Sequence, residues 1–362
     1  MKLIHCADLH LDSQMTSNLT KEQAKQRKKE MLRTFTRMVD YAEQYDAKVI
    51  LIAGDLFDTR NVSATARNIV RDAIEEHPDI DFLYLRGNHD NDNFLTKMEE
   101  IPENLKLFGE NWQSYRYGKV VISGLELAES NLASRYHSLI LDRNRYNIVA
   151  MHGQVTDYKK RDDTESISLN DLRNKNIDYL ALGHIHKYQQ EPLDARGIYC
   201  YPGCIEGRGF DECGEKGFVF LDVDENTLKA TAQFVPAAQR TLYELPVDVT
   251  GVQSTQSAAK RIESALTDVA FSRKSLVKFD LVGEISLESE INCGFLQDMF
   301  ADYFYCVKVK DKTKVAIDYS EYENDVSLKG EFIRLILHSD LPEDQKPEVI
   351  RCGILALSGE EI

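Results

Sequence analysis

The chain lacks most of what ties a secreted or membrane protein together. Its seven cysteines are odd in number and include no CxxC pair, which fits a reducing compartment better than a disulfide framework. No apolar run approaches the roughly 18 residues needed to span a bilayer. The opening "MKLIHCADLHLD" begins like a signal peptide, but His5, Asp8 and His10 interrupt its apolar stretch. A soluble, cytoplasmic protein without membrane contact is expected. Basic residues are outnumbered, 44 Lys and Arg against 60 Asp and Glu, for a net charge of −16. That balance argues against holding nucleic acid by bulk electrostatics. The stretch Lys21–Arg37 is nevertheless strongly basic, and by default it reads as a solvated helix face. No GxxxxGK[ST] occurs, so energy coupling to ATP would need a second chain. Internal repeats and low-complexity tracts are also missing.

What is present is a set of short buried strands. "KLIHCA", "KVILIA", "DFLYL", "YNIVAM" and "DYLAL" are mostly apolar and rich in Val, Ile, Leu and aromatics, as suits strands covered on both faces. Long helical patterns separate the first three. Lys21 to Tyr45 spaces Met31, Phe35, Met38, Val39 and Ala42 on one face. Ser63 is a good N-cap for a helix through Ala66, Ile69, Val70 and Ala73. The alternation predicts an α/β architecture. Later segments are more β-rich: Tyr117–Leu127 reads as a strand and Lys216–Val235 as a hairpin turning near Asp224–Asn226. At 362 residues two domains are expected, and the composition shift at "PAAQR" (Pro236–Arg240) marks the boundary. Beyond it lie a small α+β unit and, from Ser320, two short helical patterns.

The strands share a kind of ending. After the first comes Asp8-Leu9-His10; after the second, Gly54-Asp55-Leu56-Phe57-Asp58; after the third, Gly87-Asn88-His89-Asp90. The fourth ends at His152-Gly153 and the fifth at Gly183-His184-Ile185-His186. Ligand sites in open α/β sheets form beyond the carboxyl ends of strands, where such loops converge. A lone Asp, Asn or His at one corner is most often a turn or cap residue. The same residue types at five successive corners are not explained that way. Asp, Asn and imidazole together make a metal-ligand set. His5, His77, His137 and His338 fall outside the pattern, and the cysteines lack zinc spacing.

Seven ligands, Asp8, His10, Asp55, Asn88, His152, His184 and His186, are too many for one tetrahedral ion. With one shared carboxylate they would serve two ions roughly 3.5–4 Å apart. Oxygen and imidazole donors without thiolate suit Mn²⁺, Fe²⁺ or Zn²⁺ better than Mg²⁺ or Ca²⁺.

The motifs DxH, GDxxD, GNHD, a lone His after a strand and GHxH, in this order, resemble the calcineurin-like metallophosphoesterases over residues 1–235. Within that superfamily "GDLFD", "LRGNHD", "GHIH" and "YPGCIEGRGFDECGEKGF" resemble the DNA-repair exonucleases of the SbcD type, including the related YhaO branch. The resemblance implies a β-sandwich flanked by helices with a small α+β capping domain. Its divisions would be 1–240 for the nuclease domain, 241–319 for the cap and 320–362 for a helical tail contacting a partner. It further implies that Asp8, His10, Asp55 and His186 hold one metal, most naturally Mn²⁺. Asp55, Asn88, His152 and His184 would hold the other. His89 would protonate the leaving oxygen or bind phosphate, oriented by Asp58. DNA would be the substrate, an SMC-like ATPase of the SbcC type the partner on a separate chain, and a homodimer the assembly. Arg60, Arg86, Lys159, Lys160, Arg161 and Arg208 lie near the motif loops and could clamp a phosphate backbone. Two alternatives stay open: the same chemistry on nucleotides or phosphoproteins, and a non-catalytic scaffold with a structural metal.

Overall fold

A computed structural model of the protein describes residues 1–15, 19–58, 62–90, 95, 100–157, 164–267, 271–286, 289–316, 322, 325–342 and 345–358. The chain divides into two compact units, Met1–Thr241 and Leu242–Ile362. In order, the first unit runs β1 (Lys2–Cys6), α1 (Lys21–Gln44), β2 (Val49–Ala53), α2 (Ala64–Glu76), β3 (Asp81–Leu85), β4 (Leu105–Leu107), β5 (Gln113–Tyr117), β6 (Val120–Gly124), β7 (Tyr146–His152), β8 (Gln154–Thr156), β9 (Ser166–Ser168), α3 (Leu169–Leu172), β10 (Tyr179–Gly183), β11 (Gln189–Pro192), β12 (Ile198–Tyr201), β13 (Gly217–Asp224) and β14 (Lys229–Pro236).

Two six-stranded sheets form a sandwich. One has the order β14-β13-β1-β2-β3-β4, the other β11-β12-β10-β7-β6-β5. The central strands of both are parallel; antiparallel strands close three of the four edges, and β4 lies parallel to β3 at the fourth. Strand alternation sends successive side chains to opposite faces, so each central strand feeds two cores. Leu3, Leu51 and Leu83 join Ile122, Ile148 and Ala181 between the sheets. Their neighbours Ile4, Ile50, Ile52 and Phe82 point the other way, onto Met31, Phe35 and Met38 of α1 and Val70 of α2. The outer face of the second sheet buries Val149, Met151, Leu180 and Leu182 against Leu125, Tyr136 and Leu172. This two-sided burial is why the strands read as unbroken apolar runs.

The helices start where side chains can cap them. Thr20 Oγ1 accepts from the Gln23 amide at 3.2 Å while Gln23 Oε1 accepts from the Thr20 amide at 2.9 Å, a capping box. Ser63 Oγ accepts from the Ala66 amide at 3.2 Å. Within the basic stretch, Lys25, Lys29, Arg33 and Arg37 are exposed, but Arg27 is fully buried. Its guanidinium donates to Glu30 Oε2 at 2.7 Å and, across the fold, to Glu206 Oε2 and the Gly207 carbonyl, both at 2.9 Å. Arg240 donates to both Glu30 oxygens, at 2.8 and 2.7 Å. These buried pairs fasten α1 to the loop after β12 and to the end of the unit.

The second unit comprises β15 (Leu242–Asp248), α4 (Thr255–Thr267), β16 (Leu276–Val282), β17 (Glu284–Ser286), α5 (Cys293–Phe300), β18 (Cys306–Asp311), β19 (Lys314–Ala316), α6 (Leu328–Leu337) and α7 (Lys346–Ser358). Strands β15, β16 and β18 form a parallel sheet. Val247, Phe279 and Leu281 from that sheet pack on Ile262 of α4 and on Leu296 and Phe300 of α5. Ile333 of α6 meets Ile350 and Ile354 of α7 in a separate small core. Among the described residues no helix is long and apolar enough to cross a membrane.

Candidate metal centre

The five corners converge although their strands belong to two sheets, with β1, β2 and β3 in one and β7 and β10 in the other. The backbone is left-handed at three of them. Asp8, His10, Asp55 and His184 all have positive φ, at 50°, 43°, 53° and 100°. Side chains resist this left-handed backbone, so the surrounding structure must hold it. Backbone bonds do part of that work: the Asp8 amide donates to Gly54 O at 3.0 Å and the His10 amide to Asp55 O at 2.9 Å. Asp90 does more, accepting from the amides of Leu56, Phe57 and Gly87 at 3.3, 3.1 and 3.0 Å and so locking two corners together. Gly54, at φ 96°, leaves room that a Cβ would fill, since that atom would stand 2.0 Å from His152 Nδ1.

Asp8 and Asp55 sit at the bottom, both buried. The Asp8 carboxylate accepts the His184 amide at 2.9 and 3.0 Å. Asp55 Oδ1 accepts the His89 amide at 2.9 Å, and Oδ2 faces His152 Nε2 at 3.4 Å and His10 Nε2 at 3.8 Å. Asn88 Oδ1 lies 3.0 Å from His152 Nε2. His10 Nε2 and His186 Nε2 stand 3.1 Å apart. Three groups of donor atoms gather within metal-binding reach: Asp8 with His10 and His186, Asp8 with Asp55 and His152, and His10 with Asp58 and His89. The structure brings Asp8, His10, Asp55, Asn88, His152 and His186 together. His184 joins through its amide and through its ring, which lies edge-on to His152 at 5.5 Å. Of the further candidates, Asp58 Oδ1 lies 3.5 Å from His89 Nδ1, but it is nearer to His10 Nδ1 at 3.2 Å and Arg208 Nη1 at 3.1 Å. His89 is half-exposed.

The hydrogen-bond pattern suits cations. His152 Nδ1 faces the Ala53 carbonyl at 2.9 Å and His186 Nδ1 faces Glu212 Oε1 at 2.7 Å, both acceptors. The proton of each neutral ring is therefore assigned to Nδ1, leaving the Nε2 lone pair pointing into the cluster. His10 Nδ1 makes no well-directed hydrogen bond and lies beside Asp58, so its Nε2 also faces inward. Two Nε2 lone pairs 3.1 Å apart repel unless a positive centre lies between or beside them. Titration points the same way. Burial pushes Asp8 up to about 6, against the pull of His152 and His186. Burial also opposes charge on Asp55 and on His152, yet their mutual contact outweighs it, drawing Asp55 down to about 2 and lifting His152 to about 9. Burial lowers His10 and His184. Positive charge is favoured at the Asp55–His152 pair and opposed by burial at His10 and His184.

The comparisons with known proteins agree with this chemistry. Residues 1–188 match the calcineurin-like phosphoesterase family. The chain belongs to that family. This phosphoesterase is 28% identical over 282 residues to the uncharacterized metallophosphoesterase YhaO of Bacillus subtilis, covering 74% of this chain and 68% of YhaO. It is 22% identical to the DNA double-strand break repair protein Mre11 of Sulfolobus acidocaldarius, over 96% of both chains. It is 25% identical to the SbcD component of the nuclease SbcCD of Staphylococcus epidermidis, over 65% of this chain and 69% of that protein. Family membership implies metal-dependent hydrolysis of phosphoesters.

Sequence reasoning placed the corner residues but missed Glu212, which lies in the quoted Tyr201–Phe218 stretch without strand periodicity or ligand spacing. Two cations read as substrate clamps are already engaged. Arg86 grips Glu126 at 2.6 and 2.9 Å, and Arg208 pairs with Asp58 and Glu212. Arg60, Lys159, Lys160 and Arg161 lie outside the described residues.

Proposed function

We propose that the protein is a two-metal phosphodiesterase acting on DNA, the nuclease subunit of an SbcCD-like repair or processing complex. One observation carries the reading: a single buried carboxylate, Asp55, faces imidazole nitrogens on both sides, His10 at 3.8 Å and His152 at 3.4 Å. A shared carboxylate of this kind is what a dinuclear centre needs. Asp8, His10, Asp55 and His186 would hold one divalent ion, and Asp55, Asn88, His152 and His184 the other, with Mn²⁺ first choice and Fe²⁺ or Zn²⁺ next. Similarity to Mre11 along the whole chain, and to a nuclease component, supports DNA as the substrate. An SMC-like ATPase partner on a separate chain, homodimerisation and a cytoplasmic location complete this reading. The tail from 320 to 362 is the proposed partner contact.

When bound, the two ions supply a strong nucleophile from water at neutral pH and offset the charge of the phosphate oxygens. The chain's own contribution is positional. Asp90 and the left-handed corners hold the ligands before substrate arrives, so little reorganisation accompanies the reaction. His89, half-exposed and edge-on to His10 at 5.1 Å, would give a proton to the leaving oxygen or bind the phosphate. Asp58 lies 3.5 Å from its Nδ1 and would keep the ring oriented.

The deciding experiment is hydrolysis of end-labelled duplex DNA, single-stranded DNA and a small phosphodiester, with Mn²⁺ and with EDTA. Mn²⁺-dependent degradation of DNA is expected. Cleavage of nucleotides or the small ester alone would move the substrate to another phosphoester.

Metal uptake should also depend on pH. With His152 protonated up to about 9 in the metal-free protein, binding at pH 7 must displace close to one proton. Affinity should rise about tenfold per pH unit between roughly 7 and 9 and then level. Calorimetric titration with Mn²⁺ in two buffers of different ionisation enthalpy measures the proton directly. A flat affinity with no proton release would show that His152 is already neutral at pH 7.

A further inference from the structure

The loop between β12 and β13 is not one of the motif corners, yet it reaches the cluster. Glu212 is buried there, only 4% exposed. Its Oε1 accepts from His186 Nδ1 at 2.7 Å and from Arg208 Nη2 at 2.7 Å, and its Oε2 accepts the Arg208 amide at 2.7 Å. Arg208 Nη1 reaches on to Asp58 Oδ1 at 3.1 Å, the oxygen that lies 3.2 Å from His10 Nδ1. A continuous chain of charges, Glu212–Arg208–Asp58, therefore runs behind two imidazoles, His186 and His10. The same loop region holds the His186 main chain, since Lys216 Nζ donates to its carbonyl at 2.6 Å.

The other side of the cluster is built differently. His152 Nδ1 meets a neutral main-chain carbonyl, that of Ala53 at 2.9 Å. Direct carboxylate support thus stands behind His186, whereas at His152 the carbonyl is the bonded partner and the nearer carboxylate oxygen, Asp8 Oδ1, lies 3.9 Å off. A carboxylate behind Nδ1–H fixes the tautomer and raises the basicity of the opposite Nε2, which tightens its hold on a cation.

We infer that Glu212 is a positioning residue. Coupled through Arg208 to Asp58, it orients His186 and His10 and makes the half-site of Asp8, His10, Asp55 and His186 the tighter of the two. The inference rests on the ligand assignment of the proposed function. Its consequence is asymmetry: losing the Glu212 charge weakens one metal equivalent and spares the other.

The test uses the full chain stripped of metal, as wild type, Glu212→Gln and Glu212→Ala, titrated with Mn²⁺ by calorimetry and followed by electron paramagnetic resonance. Glu212→Gln keeps the shape and removes only the charge. One of the two equivalents is expected to weaken about 10- to 100-fold in the variants, with the other within about threefold of wild type. At concentrations that load the wild type fully, the spin-coupled pair signal should give way to that of isolated Mn²⁺. Equal weakening of both equivalents, or wild-type affinity at both in both variants, would overturn the inference. Wild type binding no Mn²⁺ would overturn the proposed function and this inference with it. Wild type binding two Mn²⁺ with unaltered variants would overturn this inference alone. A second measurement needs no variant: ¹⁵N spectra of the metal-free wild type should report the Nδ1–H tautomer of His186, and the Nε2–H tautomer would refute the role given to Glu212.

Discussion

Asp55→Asn is expected to abolish metal-dependent hydrolysis, by at least on the order of 10³-fold, the scale on which removing one preorganised electrostatic element acts. The substitution preserves the acceptor for the His89 amide, bonded at 2.9 Å, so the fold should persist. It replaces the oxygen facing His10 and His152 with an amide and deletes a buried charge from the centre of the cluster. Both metal equivalents should weaken together, because both are assigned to this carboxylate. His89→Ala should behave in the opposite sense. Its ring is half-exposed, and its nearest side-chain neighbours are Asp58 and, edge-on at 5.1 Å, His10. Metal content should stay near that of wild type while turnover falls about 10²- to 10⁴-fold, as for loss of a general acid. Elemental analysis beside the hydrolysis assay separates the two cases. Loss of both metals from the His89 variant would sink this division of roles.

The second large effect concerns stability. Arg27→Met should cost about 3–5 kcal/mol, because it leaves Glu206, itself buried, without its counter-charge. Glu206 would keep only the Thr34 hydroxyl and Gln239 amide bonds, each 2.7 Å. For a unit of this size, a loss on that scale lowers the melting temperature by roughly 6–20 °C. Adding Glu206→Gln to Arg27→Met should recover much of the loss, since an absent pair is cheaper than a broken one. Thermal and denaturant melts of the single and double variants read this directly. A single variant within about 1 kcal/mol of wild type would show that α1 is fastened by its apolar face instead.

The five strands were legible because each is short and buried on both faces, and because the ligating residue types stand within four residues of each strand's end. The face of α1 was legible too: Met31, Phe35, Met38, Val39 and Ala42 are all buried. What local pattern could not convey is which strands share a sheet. Lys2 pairs with Asp222 and Tyr179 with Ile148, partners that only long-range packing selects. Arg27 shows the same limit in charge. Within a basic stretch it reads as surface, and its burial depends on an acid 179 residues away. Arg208 was read as a cation for substrate, whereas the fold commits it to Asp58 and Glu212.

The left-handed backbone at Asp8, His10, Asp55 and His184 sets stability against function. At such positions glycine relieves about 1 kcal/mol of strain per residue, and deleting the Asp8 carboxylate, which burial pushes up to about 6, also removes desolvated charge; Asp55 is held ionised by His152, and its loss would break a buried pair. The metal-free chain would therefore gain thermal resistance as Asp8, His10 or His184 is lost. Any search for variants by heat challenge alone would drift toward a sturdier protein with an empty catalytic floor. Stabilisation of this enzyme has to be sought away from the corners, on the exposed faces of its helices.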